Sequence, residues 1–177
     1  MNKICLGTVF LFAFLASCTA EENLDDLLEN GENPQVSVDR KEQSIEKSDY
    51  HILVIGNSLS RDAFSYVPAI MDDVFKSKKF NVDILYRGNK ALSDHWNSIS
   101  NEISDQTIDT YDNDNSKWQT NTKVLAKDII TSKKWDLVVL QEGSRTARSY
   151  DLTKRSVHDI ANYIRVIHPD VSIAFMI

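Results

Sequence analysis

Residues 52–60 read Ile52-Leu53-Val54-Ile55-Gly56-Asn57-Ser58-Leu59-Ser60. Four consecutive apolar residues, Ile52 to Ile55, predict a strand buried on both faces, as in a parallel sheet. The strand runs straight into Gly56-Asn57-Ser58, and helix-forming sequence follows from about Asp62. Strand, tight glycine-containing turn, serine and helix, in that order, expose a hydroxyl at the carboxyl edge of an α/β sheet. A serine placed there is a nucleophile if a base reaches it. The same residues also fit a plain strand-to-helix turn in which Ser58 caps the helix.

Beyond this stretch the pattern alternates. Phe64, Val67, Ile70, Met71, Val74 and Phe75 recur at helical spacing, predicting a helix over 62–77 that Pro68 should kink or delay. A strand is expected over 81–86, and a helix or an ordered loop over 91–103. Residues 104–121 are polar and rich in Asp and Asn, which reads as a loop. A helix over 122–132, a strand over 135–140, a helix over 152–167 and a strand from 171 to at least 177 complete the series. Strand-helix alternation implies a parallel sheet covered on both faces. The fold class expected is α/β, a flavodoxin-like three-layer α/β/α domain over 49–177 with four parallel strands in view. The last strand reaches Ile177, so the domain is expected to be truncated after about its fourth strand.

The net charge is −6, which argues against nucleic acid as a partner. Most of it lies between residues 19 and 47, where nine acids face three bases. That segment contains Gly31 and Pro34 and few large apolar residues, and reads as a flexible acidic tether over 19–48. Ahead of it, Lys3 precedes an apolar run, Ile4 to Ala16, short of the ~20 residues a membrane span needs. Residues 1–18 therefore read as a targeting peptide. Its end, Leu15-Ala16-Ser17-Cys18, is similar to a bacterial lipobox, which makes Cys18 the lipid-carrying first mature residue and a membrane the partner of that anchor. An ordinary secretory signal is the other reading. Cys5 falls inside the peptide, so neither a disulfide nor a cysteine metal site is expected.

Gly56-Asn57-Ser58-Leu59-Ser60, Gly88, Ser93-Asp94-His95-Trp96 and Leu140-Gln141 taken together resemble the SGNH/GDSL hydrolases. Within that group they resemble the DUF4886-type secreted proteins of gut Bacteroidetes. The resemblance covers about residues 50–177 and implies an esterase or deacetylase with a serine nucleophile, a histidine base and an aspartate partner. It places the nucleophile on Ser58. It makes the Gly88 amide an oxyanion donor beside that of Ser58, although a turn glycine is the competing reading. Gln141 stands where the family puts an oxyanion-donating Asn, and its amide offers the same N–H groups on a longer stem. Asn57 replaces the commoner Asp of the opening motif and keeps its turn chemistry.

Glu142 either binds a substrate hydroxyl or is a solvated loop charge. Asp94, His95 and Trp96 are the residue types a sugar pocket uses, though neighbours on a helix do not share a face. His95 is thus a pocket wall, a surface or capping residue, or a catalytic base. His158 and His168 read as surface positions. The family's late Asp-x-x-His motif is absent from these residues, so the base is not accounted for. Asp109, Asp112, Asp114 and Asn115 invite a calcium reading, but an EF-hand loop begun at Asp112 needs Gly and Glu where Lys117 and Lys123 stand. No metal or cofactor is expected. Trp118 is expected to pack over the site, and Trp135 in the core.

The function these readings lead to is the N-terminal part of a cell-envelope serine esterase acting on acylated glycans, inactive as this piece. The alternatives are a non-catalytic surface lipoprotein that binds carbohydrate or a partner, and a degenerate gene product.

Overall fold

The computed structural model describes residues 47–144 and 146–176. The targeting peptide, Cys18 and nearly all of the expected tether lie outside them. The elements run β1 Asp49–Gly56, α1 Ser58–Phe64, α2 Val67–Val74, β2 Lys79–Tyr86, α3 Leu92–Ser100, β3 Gln106–Asp112, β4 Lys117–Val124, α4 Ala126–Thr131, β5 Leu137–Gln141, α5 Tyr150–Ile167 and β6 Ser172–Met176. They build one six-stranded sheet in the order β4-β3-β2-β1-β5-β6. The pairs β1–β2, β1–β5 and β5–β6 are parallel; β2–β3 and β3–β4 are antiparallel. This is the α/β architecture expected, with four parallel strands, to which two antiparallel strands and one helix are added.

The apolar run of β1 divides by parity between two cores. Leu53 and Ile55 point to one face, where Leu85, Val138 and Leu140 meet Leu92 and Ile99 of α3, Ile130 of α4 and Ile160 and Ile164 of α5. Ile52 and Val54 point to the other, with Val82, Ile84 and Val139, under Phe64 of α1 and Met71 of α2. Period-two alternation of a doubly buried strand thus makes three layers.

The expected helix over 62–77 is two helices. Pro68 sits in the first turn of α2, where its missing N–H costs nothing, and Ser65-Tyr66 form the break. Residues 91–103 contain α3.

The loop expected over 104–121 is instead the hairpin β3–β4. Its turn is built by Asp112, whose Oδ1 accepts the Asp114 and Asn115 amides at 3.0 and 3.2 Å. A bulge at the far end leaves Lys123 unpaired at φ 57°. The acidic side chain that disguised this strand, Asp109, is buried and neutralised: Arg61 Nε donates to its Oδ2 at 2.7 Å and Thr120 Oγ1 to its Oδ1 at 2.6 Å. Trp118 does not cover the site; its Nε1 donates to the Ser65 carbonyl at 3.1 Å, on the α1–α2 side of the sheet. Trp135 is buried in the first core. No helix among the described residues is long and apolar enough to cross a membrane.

Candidate functional site

The carboxyl ends of β1, β2 and β5 meet at one edge of the sheet, where α/β proteins place their ligand crevices. A cavity of about 300 Å³ lies there. Its walls are the start of α1 (Asn57, Ser58, Leu59), the segment after β2 (Asn89, Lys90, Ala91, Ser93, Asp94) and the loop after β5 (Gly143, Ser144, Thr146). Four hydroxyl side chains, two amides and one Lys–Asp pair make this a polar cavity.

Ser58 is exposed and occupies the first helical position, not the cap. Asn57 is the cap: its Oδ1 accepts the Leu59 N–H at 3.0 Å, and its Nδ2 donates to the Lys90 carbonyl at 2.9 Å. The Ser58 hydroxyl is therefore free of capping duty. Asn57 itself is almost wholly buried and acts as a hinge between two walls of the cavity.

Behind the turn the packing is tight. A Cβ on Gly56 would lie 2.1 Å from Ser60 Oγ and 2.7 Å from Gln141 Oε1, so only glycine fits. Gln141 does not present its amide to the cavity as expected. Its Oε1 accepts the Asn57 N–H at 3.0 Å and the Ser60 hydroxyl at 2.9 Å, and its Nε2 donates to the Glu142 carbonyl. Buried polar groups are satisfied this way as a rule, and at 1% exposure the Gln141 amide lines no part of the cavity in which an oxyanion would form.

Glu142 is neither solvated nor open to substrate. It is 1% exposed, and its Oε1 accepts from the amides of Leu92 (3.1 Å) and Gly143 (2.6 Å) and from Thr146 Oγ1 (2.7 Å). It ties the start of α3 to the loop after β5, two walls of the cavity.

His95 is fully buried and lines no part of the cavity. Nε2 lies 3.0 Å from the Gly56 carbonyl and Nδ1 2.8 Å from Gln106 Oε1. Desolvation pushes its pKa down to about 4, against a smaller upward pull from those two bonds. The ring is neutral at physiological pH. Trp96 packs edge-on to Tyr163 against the first core, away from the cavity.

Asp94 does line the cavity. One oxygen accepts the Ala91 N–H at 3.0 Å and the other pairs with Lys90 at 3.3 Å. Partial burial opposes its ionisation, but the Ala91 amide, Lys90 and Arg87 outweigh this and hold the carboxyl below the usual range. Gly88 sits exposed in the loop after β2 beside the cavity-lining Asn89, which adopts the left-handed region at φ 56°.

Of the expected site residues, the structure brings Asn57, Ser58 and Asp94 to one cavity. His95, Gln141 and Glu142 stand behind its walls, Gly88 lies beside the lining, and Trp96 packs half-buried against the first core. Among the described residues no histidine is hydrogen-bonded to Ser58: His51 is near the opposite end of β1, His158 pairs with Asn162 on α5, and His168 binds the Ile130 carbonyl. Asn89, Lys90, Ser144 and Thr146 were not singled out as site residues by sequence. Their signal was position alone, directly after a buried strand.

No family model and no curated protein matches the chain. Among solved structures, the fold matches that of a DUF4886 family protein from Bacteroides uniformis ATCC 8492, with a TM-score of 0.64 and 21% identity over 71% of this chain and 48% of that one. A candidate SGNH hydrolase from Slackia heliotrinireducens aligns with a TM-score of 0.39 and 21% identity, over 64% of this chain and 49% of that one, too loosely to carry weight. The chain spans about half the length of the solved structures it matches.

Proposed function

We propose that this chain is the nucleophile-bearing part of an SGNH-type serine ester hydrolase, a cell-envelope lipoprotein anchored at Cys18 and acting on acylated glycans. Ser58 carries the reading. It is exposed at the carboxyl end of β1, lines a hydroxyl-rich cavity, and leaves the capping of α1 to Asn57.

In the reaction Ser58 Oγ attacks the ester carbonyl carbon, its proton passes to a base, and the alcohol leaves with a proton returned. Water then hydrolyses the acyl-serine by the same route. The amides of Ser58 and Gly88 are the proposed oxyanion donors; Gln141, buried behind the turn and outside the cavity lining, is not. Asn89, Lys90, Ser93, Asp94, Ser144 and Thr146 supply donors and acceptors suited to sugar hydroxyls. The base is assigned to polypeptide other than the described residues, in keeping with a chain that spans half of the matched structure. Leu15-Ala16-Ser17-Cys18 supports the anchor.

The full polypeptide made in the cell should hydrolyse a short-chain aryl ester and lose that activity on Ser58→Ala, while the 177-residue chain alone turns over little. Full activity of Ser58→Ala overturns the reading. Equal palmitate labelling of wild type and Cys18→Ser overturns the anchor.

One observation favours a second reading. His95 and Gln141 both face inward, which suits a module that binds a glycan without cleaving it. Saturable glycan binding by the full polypeptide, with no turnover and no change on Ser58→Ala, selects it.

A further inference from the structure

The Gly56 carbonyl and the Asn57 N–H belong to one rigid peptide plane, and in a trans peptide they point in opposite directions. Each is held by a buried side chain. His95, from α3, donates Nε2–H to the Gly56 carbonyl at 3.0 Å, where the Arg87 N–H also donates at 3.1 Å. Gln141, from the end of β5, accepts the Asn57 N–H at 3.0 Å. We propose that His95 and Gln141 are positioning residues that clamp this peptide plane from its two ends and so fix the direction of the Ser58 hydroxyl.

Both side chains are within 1% of full burial, so water does not compete for these bonds. Each is itself fixed. Gln141 Oε1 also takes the Ser60 hydroxyl at 2.9 Å. The His95 ring is neutral with its proton on Nε2, because a carbonyl only accepts; Nδ1 then needs a donor. The atom placed 2.8 Å from Nδ1 is Gln106 Oε1, while Gln106 Nε2 is buried without a partner; turning the amide over exchanges the two, gives Nδ1 its donor and gives the NH₂ a bond. Past the clamp, one backbone step leads to Ser58. The Asn57 side chain holds that step at φ −119° and ψ −154° through Leu59 and Lys90. The hairpin strand β3 thus reaches the serine through Gln106, His95 and Gly56.

The proposal rests on Ser58 as the nucleophile, and two independent readouts separate them. The first is NMR on the labelled 177-residue chain. Wild type should show one χ1 rotamer for Ser58 and slow exchange at the Asn57 amide. In Gln141→Met that exchange should rise about tenfold, with averaging of the Ser58 rotamer, while amides in the middle of β1 and β2 stay within about twofold. His95→Leu should average the rotamer as well. His95→Gln, which keeps an N–H donor toward Gly56, should restore it.

If Gln141→Met does not fold, Gln106→Leu, which frees His95 without touching the turn, should average the rotamer in its place. An unchanged single rotamer in folded His95→Leu together with Gln141→Met or Gln106→Leu overturns the clamp. The second readout is fluorophosphonate labelling of Ser58 in the full polypeptide made in the cell. Wild type left unlabelled, with the rotamer still clamped, overturns the nucleophile and leaves the clamp standing. Variants labelled at the wild-type maximal rate overturn the clamp and leave the nucleophile standing.

Discussion

Ser58 and Ser60 lie two residues apart on one short helix and meet opposite environments. Ser58 is exposed on the cavity side of the turn, and its neighbour Asn57 has taken over the cap. Ser60 is fully buried, its hydroxyl spent on Gln141 in a space too small for a Cβ on Gly56. The front of the turn is built for access and the back for fixity. Stability should therefore depend on the back, and chemistry on the front.

The largest effect expected on the back is from Gly56→Ala. A methyl 2.1 Å from Ser60 Oγ forces backbone or strand movement, since Gln141 blocks the other way out. A loss of about 3 kcal/mol, or failure to fold, is expected, at the upper end of overpacking costs. Urea denaturation checks it; a variant as stable as wild type breaks the contrast.

Acid should reach the back next, through His95. Its pKa is near 6.5 unfolded and about 4 folded, lowered by burial and by Arg87 and drawn back up by Gln106, Gly56 and Asp94. Between these values the unfolded chain takes up a proton that the folded one refuses. This contribution to stability is full above pH 6.5 and falls as pH drops toward 4, by up to about 3 kcal/mol. His95→Gln should flatten the urea midpoint across that window relative to wild type; parallel curves contradict a neutral buried ring.

Ser60→Ala removes one donor from Gln141 while Asn57 keeps its own bond, so about 1 kcal/mol should be lost. Ser58→Ala, two residues away, should change stability by less than about 0.5 kcal/mol, because the cap belongs to Asn57. If Ser58→Ala costs as much as Ser60→Ala, the division into front and back fails.

Sequence made the same division only partly visible. The strand and turn at 52–58 were legible because four apolar residues followed by Gly-Asn-Ser have few other uses. The hairpin was not, because Asp109 looks like a loop residue until Arg61, far away in sequence, pairs with its charge and Thr120, across the hairpin, donates to its other oxygen. Gln141 and Glu142 are polar residues at and just past a strand end, and periodicity does not say whether such a side chain faces a ligand or a backbone amide. For His95 there was a signal. Leu92, His95 and Ile99 recur at spacings of three and four, which puts the imidazole on the buried face of α3 with the leucine and isoleucine. Reading that spacing through the histidine places it in the core and removes it from the pocket.

The strand that delivers Ser58 to one edge of the sheet starts at the other. β1 is eight residues long, about 26 Å at ~3.3 Å per residue, with Lys47 and Asp49 at its far end. Anything that holds the molecule from the Lys47 side grips it by the edge opposite the cavity. The cavity and the exposed Ser58 then lie at the end of β1 farthest from that grip, so a molecule too bulky to approach on the Lys47 side still meets the cavity directly.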